Sequence, residues 1–275
     1  MTDSRLAVVT GVSRGIGHAI AEMLLAEGWG VVGLSRTAPP PMEGLYWFEW
    51  DAKFGEPIED IFVSNGIESI DALIHCAGSQ EPVGPVETSD PDDWVDAIDV
   101  NLIGTYTVVR ATLSSLKRSE DARILLFSGG GAFSARPNYS AYAVAKAGTV
   151  ALMEALSGEL PSNITINCVA PGFVPTGIHA PTLAAGIETV GVAEYRHATQ
   201  TPNGEMERAV ACVRHLLSNS ARGLTGKTIS APYDDWQSIM PWTVDALNAS
   251  KAGTRTRHGI ARLNVVARHP TAVLV

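Results

Sequence analysis

The strongest constraint on the fold lies in residues 6–28. Leu6-Ala-Val-Val-Thr10 is a short apolar run of the kind that forms a strand buried on both faces. Thr10-Gly-Val-Ser-Arg-Gly-Ile-Gly17 follows directly. Helical periodicity then runs through Ile20, Met23 and Leu24 and stops at Gly28. A strand that turns on glycines straight into a helix opens a βαβ unit, and such units stack as a parallel sheet covered by helices. Gly11 permits the tight turn. Gly15 and Gly17 let a pyrophosphate and the neighbouring strand come close, and the helix N-terminus offers free N–H groups to the phosphates. The spacing is G-x-x-x-G-x-G rather than G-x-G-x-x-G.

The remainder of the chain repeats the alternation. Gly30–Leu34, Leu45–Trp50, Asp71–Gly78, Arg123–Phe127, Asn163–Val169 and Lys227–Ala231 read as strands. Ile58–Ser64, Ser140–Leu160 and Glu205–Leu217 read as helices, as does a long stretch from Pro91 past Val109 towards Leu116, with Asp90 as its N-cap. The pattern predicts an α/β fold: a single-domain Rossmann-type doubly wound parallel sheet with helices on both faces. The domain is expected to span 1–232. Within it, about 173–202 reads as a mobile lid or pair of loops, with Pro175, Gly177, Pro181, Gly186 and Gly191. Residues 233–275 form a C-terminal extension with Trp236, Trp242 and a basic stretch, Lys251–His258.

Charge and cysteine usage narrow the function. The formal net charge of −9 speaks against nucleic acid as a partner. No apolar run is long enough to span a bilayer, and residues 1–5 lack a signal-peptide layout. Cys76, Cys168 and Cys212 are widely spaced and make no metal-ligand pattern, so no metal site is expected. They suit reduced, buried thiols in a cytoplasmic protein.

Several residues carry chemistry. The second strand ends at Ser35-Arg36, where an acid would bind the ribose 2′-hydroxyl of NAD. Arg36, with Arg14 in the glycine turn, suits a 2′-phosphate instead, so NADP(H) is favoured over NAD(H). Asp51 could accept from an adenine amine, and Ala77-Gly78 would let the backbone approach a ribose or nicotinamide. Tyr142-Ala-Val-Ala-Lys146 sits at the start of a helix, which sets its phenol and ammonium on one face. An ammonium beside a phenol is expected to pull its pKa down from ~10 and make it a usable acid or base. Asn101 falls mid-helix, an uncommon place for asparagine.

Together Thr10-Gly-x-x-x-Gly15-x-Gly17, Cys76-Ala-Gly78, Asn101, Tyr142-x-x-x-Lys146 and Pro171-Gly172 resemble the classical short-chain dehydrogenase/reductase family over roughly residues 5–231. The resemblance implies roles. Tyr142 would be the general acid when a carbonyl is reduced. Lys146 would hold the nicotinamide ribose, and Asn101 would hold a water in a proton relay behind it. Cofactor contacts would come from Gly11, Ser13, Arg14, Gly15, Ile16 and Gly17; from Ser35, Arg36, Asp51 and Ala52; from Cys76, Ala77 and Gly78; and from Pro171, Gly172, Val174 and Thr176. A homodimer or homotetramer acting on a small molecule is also implied.

The sequence departs from that pattern twice. His75-Cys76 stands where the family usually has two asparagines. The catalytic serine usually lies thirteen residues before the tyrosine, which here is Gly129, while Ser128 lies one residue earlier. Ser128 is the expected polarising hydroxyl, since Gly129, Gly130 and Gly131 could absorb the offset. The leading function is an NADP(H)-dependent carbonyl reductase or alcohol dehydrogenase. A nucleotide-binding regulator without turnover and a nicotinamide-using epimerase or dehydratase are the alternatives.

Overall fold

The structure, a computed structural model, describes residues 5–54, 57–199 and 204–250, with four two-residue strands between 255 and 274. Seven parallel strands form one sheet in the order β3-β2-β1-β4-β5-β6-β7: β1 (Leu6–Thr10), β2 (Gly30–Ser35), β3 (Leu45–Glu49), β4 (Ala72–His75), β5 (Ala122–Phe127), β6 (Ile164–Ala170) and β7 (Thr228–Ser230). Alternate side chains of each strand enter opposite apolar layers. Ala7, Val9, Leu125 and Phe127 meet α1 (Gly15–Ala26) and α8 (Glu205–Leu216). Val8, Ile124, Leu126 and Ile166 meet α2 (Ile58–Ser64), α4 (Gly104–Leu116) and α5 (Ser140–Glu159). Apart from the edge strand β3, whose Tyr46 is exposed, both faces are buried, which is why those strands are apolar throughout and not alternating. Among the described residues no helix is long and apolar enough to cross a membrane.

The expected long helix around Asn101 is present but not uniform. α3 (Pro91–Ile98) passes through a π-helical turn, Asp99–Ile103, into α4. The Asp90 side chain caps α3 through Asp92 N, as its sequence position predicts.

The segment read as loops is helical. After a 3₁₀ turn at Gly177–His179 come α6 (Ala180–Ala185) and α7 (Ile187–Thr199). Gly186 and Gly191 have φ of 77° and 83°, angles open to glycine, so they break the helices without abolishing them. Residues 200–203, the end of the expected lid, lie outside the described residues.

The start of the expected extension belongs to the main core. Trp236, Ile239, and Val244 and Leu247 of α9 (Pro241–Ala249) share the apolar layer of Val213 and Leu216. Two antiparallel strand pairs follow, so Lys227–Ala231 is not the chain's last strand region. Of the basic stretch Lys251–His258, only the Arg255–Thr256 strand is described, and residues 1–4 are also outside.

Chain order reverses between β1 and β4, and the carboxyl ends of these strands open a crevice. Thr10 ties them together. Its Oγ1 accepts from Cys76 N at 3.1 Å and Ala77 N at 3.0 Å. Its proton is then left for His75 Nδ1 at 2.9 Å, which makes the imidazole the neutral Nε2–H tautomer. Burial first, and the Lys146 ammonium second, push the His75 pKa down to about 3.

A group held neutral in this way stabilises the fold fully above its unfolded pKa of 6.5 and loses that contribution as pH falls towards 3. The unfolded chain takes up a proton that the folded chain refuses. His75→Asn removes this term. Urea unfolding at pH 7 and pH 5 should show the unmodified protein losing about 2 kcal/mol more than the variant. Equal losses in the two proteins would mean that His75 protonates in place.

Candidate active site

Most of the expected residues line one cleft of about 1550 Å³ at the carboxyl edge of the sheet. Gly11, Ser13, Arg14, Gly15, Ile16 and Gly17 form one wall, and Ser35, Arg36, Asp51 and Ala52 a second. Cys76, Ala77, Gly78, Ser128, Tyr142, Pro171, Gly172, Val174 and Thr176 complete it. Asn101 and Lys146 stand behind this lining, almost wholly buried.

The glycine wall admits a dinucleotide on steric grounds. A Cβ on Gly17 would lie 2.8 Å from Thr10 O, and one on Gly11 would lie 3.1 Å from Ala77 N. With no side chains there, β1, α1 and the loop after β4 close together at the N-terminus of α1, where the phosphates of a dinucleotide would sit. Arg36 stands exposed at the end of β2. Arg14 takes a different direction: its guanidinium lies against Gly177, 3.4 Å from where a Cβ would be. The Ser35 hydroxyl is committed, donating to Thr37 O at 2.8 Å and accepting from Trp47 Nε1 at 3.0 Å. Asp51 accepts from Lys53 N at 2.8 Å.

Asn101 explains its own place in a helix. The π turn swings its side chain towards the loop after β4. Its Nδ2 donates to Ser79 O at 3.0 Å and to Ala97 O at 2.9 Å, and its Oδ1 accepts from Ser79 N at 3.1 Å. Its own carbonyl accepts from Thr105 at 2.8 Å and Thr149 at 3.3 Å. A Cβ on Gly78 would lie 2.7 Å from Asn101 Oδ1, so the glycine makes room for the amide. π turns often mark functional positions.

Tyr142 and Lys146 lie one turn apart on α5, both buried. Lys146 Nζ donates to Phe127 O at 3.0 Å and lies 5.7 Å from the centre of the Tyr142 ring. Burial draws the Lys146 pKa down to about 8. The expected depression of the Tyr142 pKa by Lys146 is not found. Burial raises that pKa above the ordinary phenol value, opposed by the Arg136 guanidinium and by a hydrogen bond with Gln80. A desolvated ammonium aimed at a strand-end carbonyl does less for the phenol than its helical spacing suggests. All three thiols are raised by burial, Cys168 to about 12, so none is a nucleophile.

The serine question turns on space. Ser128 Oγ is buried and makes no hydrogen bond. At Gly129, a Cβ would collide with Tyr142 Oη and lie 2.9 Å from Cζ. The tyrosine hydroxyl occupies the volume that a side chain at the family's usual serine position would need.

Sequence reasoning did not bring together the residues that surround Tyr142. Tyr139 Oη bonds Thr182 at 2.9 Å, and Thr182 donates to Gln80 at 3.2 Å. Arg136 stacks 3.8 Å from the Tyr139 ring centre and pairs with Glu194 of α7 at 3.1 Å. Phe173 lies between His179 and His197, at 4.3 Å and 4.0 Å. These residues come from separate loops and helices with no shared spacing. Arg136-Pro137, just before the α5 helix, was the one available signal.

A doubly wound sheet with a glycine cradle at its switch point and a Tyr–Lys pair on the adjoining helix defines a nicotinamide-dependent dehydrogenase or reductase. The short chain dehydrogenase family model matches residues 5–185, and the chain belongs to the short-chain dehydrogenase/reductase family. It is similar to nodulation protein G of Rhizobium sp., 31% identical over 242 residues that cover 82% of this chain and 94% of that one. It is also similar to the 3-oxoacyl-[acyl-carrier-protein] reductase FabG of Haemophilus influenzae, 29% identical over 82% of this chain and 95% of that one. Among solved structures, the ligand-free aldohexose dehydrogenase of Thermoplasma acidophilum superposes with a TM-score of 0.70 at 26% identity, covering 82% of this chain and 92% of the other. The family uses NAD(P), and this chain is an enzyme of it.

The Gly129 geometry predicts an unusual outcome. Gly129→Ser restores the family's usual residue yet should abolish most turnover and destabilise the protein by about 1–3 kcal/mol, the usual cost of overpacking. Thermal unfolding and initial rates check this. A serine variant at least as active as the unmodified protein would show that Tyr142 can move aside.

Proposed function

We propose that this enzyme is NADP(H)-dependent and reduces the carbonyl of a small molecule, or oxidises the matching alcohol, with Tyr142 as general acid or base. One observation carries the reading: the buried Tyr142 lines the same cleft as the glycine cradle, with Lys146 Nζ 5.7 Å from its ring centre and both Lys146 and Asn101 beside Gly78 of that cleft. The names of the relatives, a 3-oxoacyl reductase and an aldohexose dehydrogenase, describe carbonyl–alcohol chemistry as well.

Each residue then has a task. Gly11, Ser13, Gly15, Ile16 and Gly17 hold the pyrophosphate at the N-terminus of α1. Arg36 takes the 2′-phosphate, with Arg14 nearer the lid, and Ser35 shapes the same strand end. Asp51 and Ala52 flank the adenine. Cys76, Ala77 and Gly78 admit the ribose, and Pro171, Gly172, Val174 and Thr176 border the nicotinamide. When bound, the nicotinamide supplies or accepts the hydride. Lys146 would hold the ribose hydroxyls. Asn101 fixes the loop at Ser79 and supports proton return behind Lys146.

Tyr142 gives its proton to the substrate oxygen. Burial keeps the phenol protonated at neutral pH, which suits an acid acting in the reducing direction. Ser128 donates the second hydrogen bond to that oxygen. Its buried, unpartnered hydroxyl costs about 1–3 kcal/mol, a cost that a bound carbonyl would offset. Exposed Tyr106 on α4 and Val144 on α5 support a homodimer or homotetramer, and three unpaired thiols suit the cytoplasm.

With NADPH and a panel of ketones, Tyr142→Phe should abolish turnover and leave NADPH affinity near normal. Ser128→Ala should lower kcat by ~10²–10³. Activity of the Phe variant above a few per cent would move the acid role to another group. For the cofactor, Arg36→Ala should weaken NADPH about tenfold or more and hardly change NADH, since a charge-assisted bond contributes about 1.5–3 kcal/mol. Equal dissociation constants for NADH and NADPH in the unmodified protein would overturn the preference.

A further inference from the structure

The Arg136–Glu194 pair is lopsided. The arginine side chain is 12% exposed and the glutamate 36%. The cation lies inside the reaction chamber, and its anion reaches in from the rim on the lid helix α7. The guanidinium is held flat by Tyr139, which is itself pinned by Thr182. It is therefore oriented in advance. Its bond to Glu194 runs through Nη2 alone, so it engages one edge of a fork that can hold a carboxylate with two parallel bonds. The Cζ atom lies 5.8 Å from the Tyr142 ring centre, within the reach of one small molecule.

Glu194 is a weak competitor for this site. Its carboxylate is partly in water and holds the fork by one bond, so it gains less than a desolvated carboxylate held by two. It also follows the helix break at Gly191, whose φ of 83° sets off the turns that carry it. A substrate carboxylate between Arg136 and Tyr142 would be better desolvated and could use both edges of the fork. Buried cations of this kind are kept where a planar anion is recognised.

We propose that Arg136 seats the free carboxylate of the substrate, and that the substrate is a short oxo acid whose carboxylate lies close to the reacting carbonyl. Glu194 holds the site until the substrate carboxylate replaces it. This rests on the reductase reading above. The carbonyl carbon gains a hydride from NADPH, which leaves as NADP⁺, and the carbonyl oxygen gains the Tyr142 proton. The carboxylate takes no part in bond making. Arg136 selects the free acid over its ester or thioester.

The test uses the full chain saturated with NADPH. Matched short oxo acids and their methyl esters are compared by kcat/KM. The acid is expected to be the better substrate. Arg136→Met should lower the acid-to-ester ratio about 10- to 100-fold, whatever it does to the rate common to both. Arg136→Lys, which keeps the charge and loses the fork, covers the case in which the Met variant does not fold. Its ratio should fall by an intermediate factor. Glu194→Gln should lower KM for the acid more than for the ester. A Glu194→Gln variant that loses activity on both would mean a structural latch and would overturn the proposal, as would an unchanged ratio in both arginine variants. Calorimetric binding of an unreactive alkanoate of matched length separates this proposal from the reductase reading. Arg136-dependent binding with no turnover of any carbonyl leaves the carboxylate site and removes the reductase. Turnover with no Arg136-dependent binding does the reverse.

Discussion

The molecule is organised around one side-chain hydroxyl at the point where strand order reverses. Thr10 Oγ1 takes two backbone N–H groups from the loop after β4 and gives its proton to His75. Those amides, half-buried in the loop, would otherwise lack a protein partner. With them satisfied, the loop at Ala77-Gly78 can sit against Gly11, and the cleft keeps its floor. The neutral His75 is a consequence: it must accept from Thr10, and burial forbids the charge that would stop it doing so.

From that floor the site is built by absence as much as by presence. Gly78 has no side chain, so Asn101 reaches Ser79. Gly129 has none, so Tyr142 Oη fills the space. The π turn at Asp99–Ile103 is the matching adjustment on the helix side, and it turns the asparagine inward. These positions form one close-packed arrangement in which each vacancy is occupied by a neighbour's polar group.

Electrostatics divides the chamber into two parts. Lys146 is buried beside a strand-end carbonyl and has its own pKa lowered by that burial. Arg136 is the positive group that acts on the Tyr142 phenol. Two cations of different chemistry thus flank one phenol, and the arginine is the one with the geometry to bind a planar anion.

The alternation of apolar runs and amphipathic helices determined the sheet, its parallel sense and the glycine cradle, because a strand buried on both faces and a helix with one apolar stripe have few ways to pack. It also paired Tyr142 with Lys146, since spacing along one helix survives folding, whereas Asn101 stood out only as an asparagine in mid-helix. The helical form of 177–199 was hidden, because Gly186 and Gly191 read as breakers when they only turn the chain between short helices. The raised phenol pKa, the collision at Gly129 and the meeting of Gln80, Arg136, Thr182 and Glu194 around Tyr142 were decided by tertiary structure alone. Burial and contact between segments 102 residues apart leave no periodic trace, and desolvation depends on everything packed around a group rather than on its neighbours in sequence.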